Sequence, residues 1–424
     1  MKVDLRNYAI VTAAYWADTL VDGATRVLVL FYFYERGYSA FEVASLFLFY
    51  EIFGIVTNLV GGWVAARLGL RTTLLAGLGT QIGALSMLAF APSSWLVVPY
   101  VMTSQALSGI AKDLTKMSSK SAVKLLVPED AHGELYRWVA LLTGSKNALK
   151  GVGFFLGGLL LTLVGFRSSI FILLALIGTA LVVVLTMARG QLAIPNPAAK
   201  FRGMFSNNRS VNVLAAARVV LFASRDVWFV VGLPVFLSSV LGWSFWQVGA
   251  FLAIWVIGYG IVQASAPRTT RRWGGPEGPD GTTATWLAFV LAIPLAAIAV
   301  GLTTGLPPTP IVVVGLIAFG VVFGLNSAVH SFLILRYAEG DKVAMNVGFY
   351  YMANACGRLL GTVLSGALYQ LGGLTWCLWA SVLFVLAAGT LSRLLPSPGR
   401  ATGAGSALVD ADSDALTTPT SGSG

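Results

Sequence analysis

Six cationic side chains lie inside stretches that otherwise have the composition of membrane-spanning helices: Arg26, Lys146, Lys150, Arg218, Arg225 and Arg358. A charge at the middle of a bilayer costs from about 3 to over about 10 kcal/mol, so it persists where it faces a partner or a water-filled cavity. Four carboxylates share these stretches: Asp18, Asp22, Glu51 and Asp226. Because they cannot neutralise six cations one for one, the surplus positive charge predicts an interior cavity for an anion.

Polar residues of the first predicted helix share one face. Tyr15, Asp18, Asp22 and Arg26 follow one another at steps of three and four residues, which is the spacing of a single helix face. Asp22 and Arg26 are i, i+4 neighbours and can pair directly. Two interpretations stay open, a fixed ion pair or an anion-binding arginine beside a proton-carrying aspartate; we favour the second. Glu51 is either a protonatable coupling group or a partner of a neighbouring helix.

The remaining interior cations also share faces with polar neighbours. Lys146 and Lys150 are one turn apart, and no acid adjoins them in the sequence. Arg218 and Arg225 are seven residues apart, and Arg225 can also pair with the adjacent Asp226. The predicted substrate site consists of Arg26, Lys146, Lys150, Arg218, Arg225, Tyr351, Asn354 and Arg358. The predicted proton-coupling or ion-pair groups are Asp18, Asp22, Glu51 and Asp226.

Composition places the chain among membrane proteins. It is 56% hydrophobic and 11% charged, whereas soluble domains average about 25% charged residues. The net charge of +10 does not indicate nucleic acid, because the basic residues are scattered between apolar stretches and no nucleic-acid module occurs. Two histidines and two cysteines show no metal-ligand spacing, and no nucleophile elbow or phosphate-binding loop is present. We therefore expect no catalytic residues, no metal and no cofactor.

The elements that must position these charges are apolar helices long enough to cross a bilayer. Twelve are predicted, near residues 8–33, 41–65, 72–90, 96–114, 138–164, 168–188, 211–236, 245–264, 283–303, 311–335, 347–370 and 374–394. The predicted fold is all-α, with two six-helix halves (1–188 and 211–394), a central cytoplasmic loop (189–210) and a disordered cytoplasmic tail (395–424).

Lysine and arginine concentrate in alternate loops and at both termini, so the positive-inside rule places both termini in the cytoplasm. After the fourth span a basic stripe recurs every four residues: Lys112, Lys116, Lys120 and Lys124. The stripe can contact anionic lipid headgroups or concentrate anions at a cytoplasmic entrance, and the two roles are compatible.

The two halves resemble each other. GYSAFEVASLF from Gly37 aligns with GWSFWQVGAFL from Gly242, and the same offset places Arg67 on Arg272. A parallel repeat of six helices is the architecture of the major facilitator superfamily, whose site lies between the halves. GGWVAARLGLR at 61–71 also resembles that superfamily's loop signature, although an alanine stands where an aspartate is usual and one residue is inserted. We predict gating loops containing Arg67, Arg71 and Arg272; ordinary positive-inside anchoring is the alternative.

Four strings resemble a more specific family, the ArsJ organoarsenical efflux permeases. They are QALSGIAKDLTKMSSKSAVKLLVP from Gln105, YRWVALLTGSKNALKGVGFFLGG from Tyr136, RDVWFVV from Arg225 and VGFYYMANACGRLLGTVLSG from Val347. The resemblance covers the twelve predicted helices but not the tail. It implies a bacterial inner-membrane exporter of 1-arseno-3-phosphoglycerate, which glyceraldehyde-3-phosphate dehydrogenase makes in the cytoplasm and which breaks down outside to arsenate.

Other functions share the same residues. Cationic clusters in the two halves can clamp the phosphate and arsenate ends of such a molecule, but an exchanger of organophosphate for phosphate fits as well. A proton-coupled multidrug exporter of cations fits poorly, because its cavity should be acidic. We expect a monomer whose partners are a small anionic organic substrate and membrane lipids. The energy source stays open among proton antiport, phosphate exchange and facilitated export.

Overall fold

The computed structural model describes the backbone of residues 5–124, 132–188, 208–270, 273, 279–337 and 343–396. This part of the chain folds into α-helices and one short 3-10 turn, Ser93–Trp95, and contains no strand. The helices are α1 (Leu5–Glu35), α2 (Ala40–Ser45), α3 (Leu48–Leu68), α4 (Leu70–Phe90), α5 (Val98–Lys124), α6 (His132–Met187), α7 (Arg209–Phe229), α8 (Gly232–Ser239), α9 (Phe245–Thr270), α10 (Gly281–Thr303), α11 (Pro308–Tyr337) and α12 (Val343–Ser392). The predicted all-helical class is confirmed.

Eight helical stretches of the described residues are long and apolar enough to cross a membrane. Two of them, Ser145–Met187 and Gly348–Ser392, have 43 and 45 residues, about twice the 20 that one crossing needs. Glycines interrupt both, at Gly165 and at Gly372–Gly373, where the backbone leaves the helical region. The predicted boundaries between consecutive spans fall at these breaks. The total of twelve spans stays a prediction, because the polar helices α1 and α5 are not among the eight.

Two predicted spans are broken where the sequence suggested continuous helices. The span at 41–65 is divided between α2 and α3, and the span at 211–236 between α7 and α8. At the second break, Ser365 of α12 accepts hydrogen bonds from the backbone N–H groups of Val231 and Gly232, at 3.2 and 3.1 Å. A side chain from a neighbouring helix thus satisfies the backbone groups that a break inside a membrane would otherwise leave bare.

The sequence repeat has a matching local structure. Ser39 and Glu42 form a capping box at the start of α2, and at the start of α9 the side chain of Gln247 accepts from the backbone N–H of Ser244 at 2.9 Å. The glycine two residues before each serine has a positive φ, 86° at Gly37 and 70° at Gly242. The aligned strings therefore build the same turn in both halves.

Glycines bring the helices of each half together. In the N-terminal half α1 packs along α6, and in the C-terminal half α7 packs along α12. A Cβ atom at Gly153 of α6 would overlap the backbone carbonyl oxygen of Leu20, and one at Gly357 of α12 would overlap that of Val219. These glycines permit the close approach of helices that is common inside membranes. The two helix pairs carry most of the predicted site residues.

Candidate functional site

Glu51 of α3 pairs with one arginine from each half of the molecule. Its Oε1 accepts from Nη2 of Arg26 on α1 at 2.5 Å and from Nη2 of Arg358 on α12 at 2.6 Å. The Glu51 side chain is 2% exposed. We call these three residues the central bridge. Because one carboxylate balances only one of two guanidinium groups, the bridge keeps a positive charge.

The charged network continues from the central bridge into α7. Nε of Arg358 lies 3.6 Å from Oδ2 of Asp226, and Oδ1 of Asp226 pairs with Nη2 of Arg225 at 2.5 Å. Three guanidinium groups therefore alternate with two carboxylates across the contact between the halves. Five of the predicted site residues are brought together here, and the network retains a net charge of one cation.

Asp22 does not pair with Arg26, so the fixed ion pair on α1, one of the two interpretations left open by the sequence, does not form in this structure. Oδ1 of Asp22 accepts from the Tyr50 hydroxyl at 2.6 Å, while Arg26 reaches Glu51. The Tyr50 ring lies between two cations, with Cζ of Arg26 at 4.6 Å and Nζ of Lys112 at 4.0 Å from its centroid. Cation–π contacts of this kind hold a charge without neutralising it.

Lys150 adds a further positive charge to this region. Its ammonium lies 5.6 Å from the centroid of the Phe154 ring, and no carboxylate of the described residues lies within ion-pair distance of it. The charges of Arg26, Arg358 and Lys112 all act on the Lys150 ammonium. Lys146 lies one turn earlier on α6 and is half-buried. A cluster with this surplus attracts an anion.

A second cationic position lies deeper in the C-terminal half. Nε of Arg218 donates to Oδ1 of Asn354 at 3.0 Å, and its Nη1 donates to the backbone carbonyl of Ser327 at 3.3 Å. Its Cζ lies 4.0 Å from the centroid of the Phe222 ring. Arg218 is 5% exposed and, within the described ranges, its hydrogen-bond partners are neutral. Tyr351, the last predicted substrate residue, is 37% exposed on α12.

Two lysines of the predicted basic stripe, Lys112 and Lys116, face the interior, and the role of the stripe at lipid headgroups or at a cytoplasmic entrance stays a prediction. Lys112 lies on the Tyr50 ring, and Nζ of Lys116, 13% exposed, pairs with Oδ1 of Asp113 at 2.6 Å. Asp113 also accepts from Thr57 at 2.8 Å. The helix α5 continues past the predicted end of the span, so these residues remain inside the bundle. The side chains of Lys120 and Lys124 lie outside the described residues.

Sequence reasoning missed Asp113, which is 1% exposed. It lies within the fourth predicted span (96–114), and its i, i+3 spacing to Lys116 is itself a pairing signal. Asp18 was predicted, and it contacts Thr115 of the same helix α5 at 2.6 Å. Thus α1 and α5 meet through buried carboxylates.

Of the predicted gating residues, one is described. Nη2 of Arg71 donates to the backbone carbonyl of Leu185 at 3.3 Å, which connects the start of α4 to the end of α6. This contact lies within one half. The Arg67 side chain and Arg272 lie outside the described residues, so the gating role stays a prediction.

Comparison with known proteins agrees with this architecture. The pattern of the Major Facilitator Superfamily matches residues 11–328, and the chain belongs to this superfamily. Its fold is similar to that of a POT family transporter in complex with a thioalcohol-conjugated peptide, with 13% identity, a TM-score of 0.75 and coverage of 91% of this chain and 95% of that one. A POT family transporter in complex with 5-aminolevulinic acid gives a TM-score of 0.76 at the same identity and coverage.

At this identity the two solved structures show a shared fold and nothing about cargo. A comparison with curated proteins gives no match. The family and the apolar helices together define a multi-pass membrane transporter.

Proposed function

We propose that this chain exports an anionic organoarsenical, 1-arseno-3-phosphoglycerate, across the bacterial inner membrane and thereby confers resistance to arsenate. One observation carries the anionic cargo: Arg26 and Arg358, from opposite halves of the molecule, converge on a single carboxylate oxygen of Glu51. Guanidinium groups bind phosphate-like oxyanions with two parallel hydrogen bonds. The position that Glu51 occupies between them is therefore suited to an oxyanion.

The central bridge supplies a mechanism for alternating access. Without cargo, Glu51 holds Arg26 and Arg358 and so connects the two halves. An incoming oxyanion competes with Glu51 for both guanidinium groups, and Lys150 adds attraction from α6. A ligand shifts a conformational equilibrium only when it binds one state better than the other. The cargo favours the state in which the Glu51 ion pairs are open, because a mobile oxyanion then takes the place of Glu51 at Arg26 and Arg358.

The cargo carries two acidic ends, and the C-terminal half offers a place for the second. Arg218 is held by neutral groups of Asn354 and Ser327, so its charge is available to a ligand. Arginine remains protonated at every physiological pH. The central bridge and Arg218 are thus the two cationic positions proposed to receive the phosphate and arsenate groups.

The arsenic in this proposal comes from the resemblance of four sequence strings to the ArsJ permeases, and the site supports the anion. An organophosphate exchanger is the second candidate, favoured by the same convergence of arginines on Glu51.

Everted membrane vesicles containing this chain test the proposal. They are supplied with the dehydrogenase, glyceraldehyde 3-phosphate, NAD⁺ and radiolabelled arsenate, and label trapped inside is measured. We expect trapping that needs every component and is abolished by Arg358→Gln, while Arg393→Gln, at an exposed arginine near the end of the described chain, retains it. Trapping without the dehydrogenase would contradict the proposed cargo. Equal or greater trapping of label from phosphate would favour the organophosphate exchanger.

A further inference from the structure

Thr115 of α5 has two hydrogen-bond acceptors and one hydrogen with which to satisfy them. Its Oγ1 lies 2.6 Å from Oδ2 of Asp18 and 2.9 Å from the backbone carbonyl oxygen of Lys112. A hydroxyl group donates once and accepts twice. If Asp18 is ionised, one of these two short contacts has no hydrogen. If Asp18 is protonated, its own O–H donates to Thr115, the threonine donates to the carbonyl, and both contacts are hydrogen bonds.

The surroundings of Asp18 also disfavour its charge. Asp18 is 0% exposed, and its Oδ1 has no hydrogen-bond partner among the described residues. The groups that face it are Tyr15 and Asp22 on its own helix and Lys112 and Asp113 on α5. An isolated buried carboxylate is costly unless a cation pairs with it, and two of these neighbours are themselves carboxylates.

The neighbouring acids have partners that Asp18 lacks. Asp113 pairs with Lys116, and Asp22 accepts from Tyr50. Lys112 faces Asp18 from α5, but its ammonium rests on the Tyr50 ring. In the described part of the chain no salt bridge reaches Asp18.

We propose that Asp18 is the proton-carrying carboxyl of this transporter and that export is coupled to proton entry. The proton binds Asp18 from the outer side and is held in the arrangement described here. Its release to the cytoplasm leaves a carboxylate that draws Lys112 away from the Tyr50 ring. Because Tyr50 precedes Glu51 and also contacts Arg26, this movement reaches the central bridge. The inference concerns the energy source and goes beyond the proposed cargo.

Infrared spectroscopy of the purified protein tests the protonation without any cargo. A protonated carboxyl group has a carbonyl stretch separate from that of a carboxylate. We expect the wild type minus Asp18→Asn difference spectrum at neutral pH to contain this band. Asp113→Asn is the matched control, since it makes the same change at an acid paired with Lys116, and its difference spectrum should lack the band. A difference spectrum without the band for Asp18→Asn would overturn the inference.

Transport in everted vesicles tests the coupling. Nigericin with potassium collapses the pH gradient, and valinomycin with potassium clamps the membrane potential, so the two forces are varied separately. With the dehydrogenase mixture described above, an acid interior should increase label trapping several-fold in the wild type and leave Asp18→Asn unchanged. A wild-type rate that follows the potential alone would overturn proton coupling. Because the infrared experiment needs no cargo, a failure of the proposed cargo remains distinguishable from a failure of the proton site.

Discussion

The two halves of this transporter carry their interior charge in different ways. In the N-terminal half, α1, α3 and α5 bury four carboxylates among their cations: Asp18, Asp22, Glu51 and Asp113. In the C-terminal half, α7 and α12 hold Arg218, Arg225 and Arg358 with Asp226 as their one acid. Carboxylates can take up protons, whereas arginines keep their charge. The N-terminal half therefore has four buried carboxylates at which protonation can change its charge, whereas α7 and α12 have Asp226 alone.

Aromatic rings surround the arginines of α7, alongside the single carboxylate of Asp226. Cζ of Arg225 lies within 6 Å of the ring centroids of Phe222, Phe229 and Phe323, and Arg218 also lies over Phe222. A ring face stabilises a cation without cancelling its charge. This comparison assigns constant attraction for an anion to the C-terminal half and energy coupling to the N-terminal half. Four measurements test this difference between the halves.

The largest effect is expected for Glu51→Gln, which removes the carboxylate shared by the halves. Arg26 and Arg358 would then face each other, and breaking a buried pair in this way typically costs about 3–5 kcal/mol. The variant should unfold at a lower temperature in detergent and should regain much of the loss in added phosphate, because an oxyanion can take the carboxylate's place. Glu35→Gln, at an exposed position at the end of α1, is the control. A Glu51→Gln protein of normal stability that ignores phosphate would contradict the central bridge.

A smaller effect is expected for Asp22→Asn, because the amide oxygen can still accept from Tyr50. Replacing a charged acceptor by a neutral one should cost about 1–2 kcal/mol.

Double-mutant cycles locate the true partner of Arg26. Residues in direct contact show coupling energies of about 0.5–3 kcal/mol, and independent sites add. Thermal unfolding should give stronger coupling for Arg26→Gln with Glu51→Gln, which are in direct contact, than for Arg26→Gln with Asp22→Asn, which share Tyr50 as a neighbour. The reverse order would contradict Glu51 as the main partner of Arg26.

The residues changed in these two variants show which part of the site could be predicted from the sequence and which part could not. The membership of Arg26, Glu51, Arg358 and Asp226 in one polar interior could be predicted, since charges in apolar helices must face inward. Their pairing could not. Arg26 and Glu51 are 25 residues apart and Glu51 and Arg358 are 307 apart, so only the packing of helices decides the contact. Local spacing pointed instead to Asp22.

Helix boundaries limited the prediction in a second way. The all-helical class followed from the length of the apolar stretches, and the likeness of the two halves followed from the aligned strings at Gly37 and Gly242. The inward position of Lys112 and Lys116 could not be predicted, because α5 extends to Lys124, past the predicted end of the span at residue 114. Asp113 makes this extension possible by pairing with Lys116.

Substitutions at the packing glycines test whether the helices of the two halves pack equally closely. Gly153→Ala on α6 and Gly357→Ala on α12 each place a methyl group against the backbone of a neighbouring helix, and overpacking of this kind costs about 1–3 kcal/mol. We expect similar losses of thermal stability in the two halves. Gly178→Ala is the matched control, because nothing lies within 4 Å of the added carbon and alanine favours a helix by about 1 kcal/mol over glycine. A large loss in one half alone would show that the halves differ in packing as well as in charge.

The smallest effects are expected at the repeated turns, where Ser39 caps α2 and Ser244 begins α9. Ser39→Ala should lower the free energy of unfolding by about 1 kcal/mol, the usual cost of losing a capping hydroxyl, because the Ser39 hydroxyl accepts from the Glu42 backbone N–H. Ser244→Ala should cost less, because the Ser244 hydroxyl donates to the Gln247 side chain and, among the described residues, accepts no hydrogen bond from the Gln247 backbone. Glu42 and Gln247 each stand three positions after the serine of their turn. The substitutions Glu42→Gln and Gln247→Glu give each turn the residue of the other. Since an amide and a carboxylate oxygen both accept from the serine N–H, each exchange should change stability by less than about 0.5 kcal/mol. Chemical denaturation in detergent measures all four variants. If either exchange unfolded its half, the two turns would not be equivalent. The halves would then differ in their loops as well as in their interior charge.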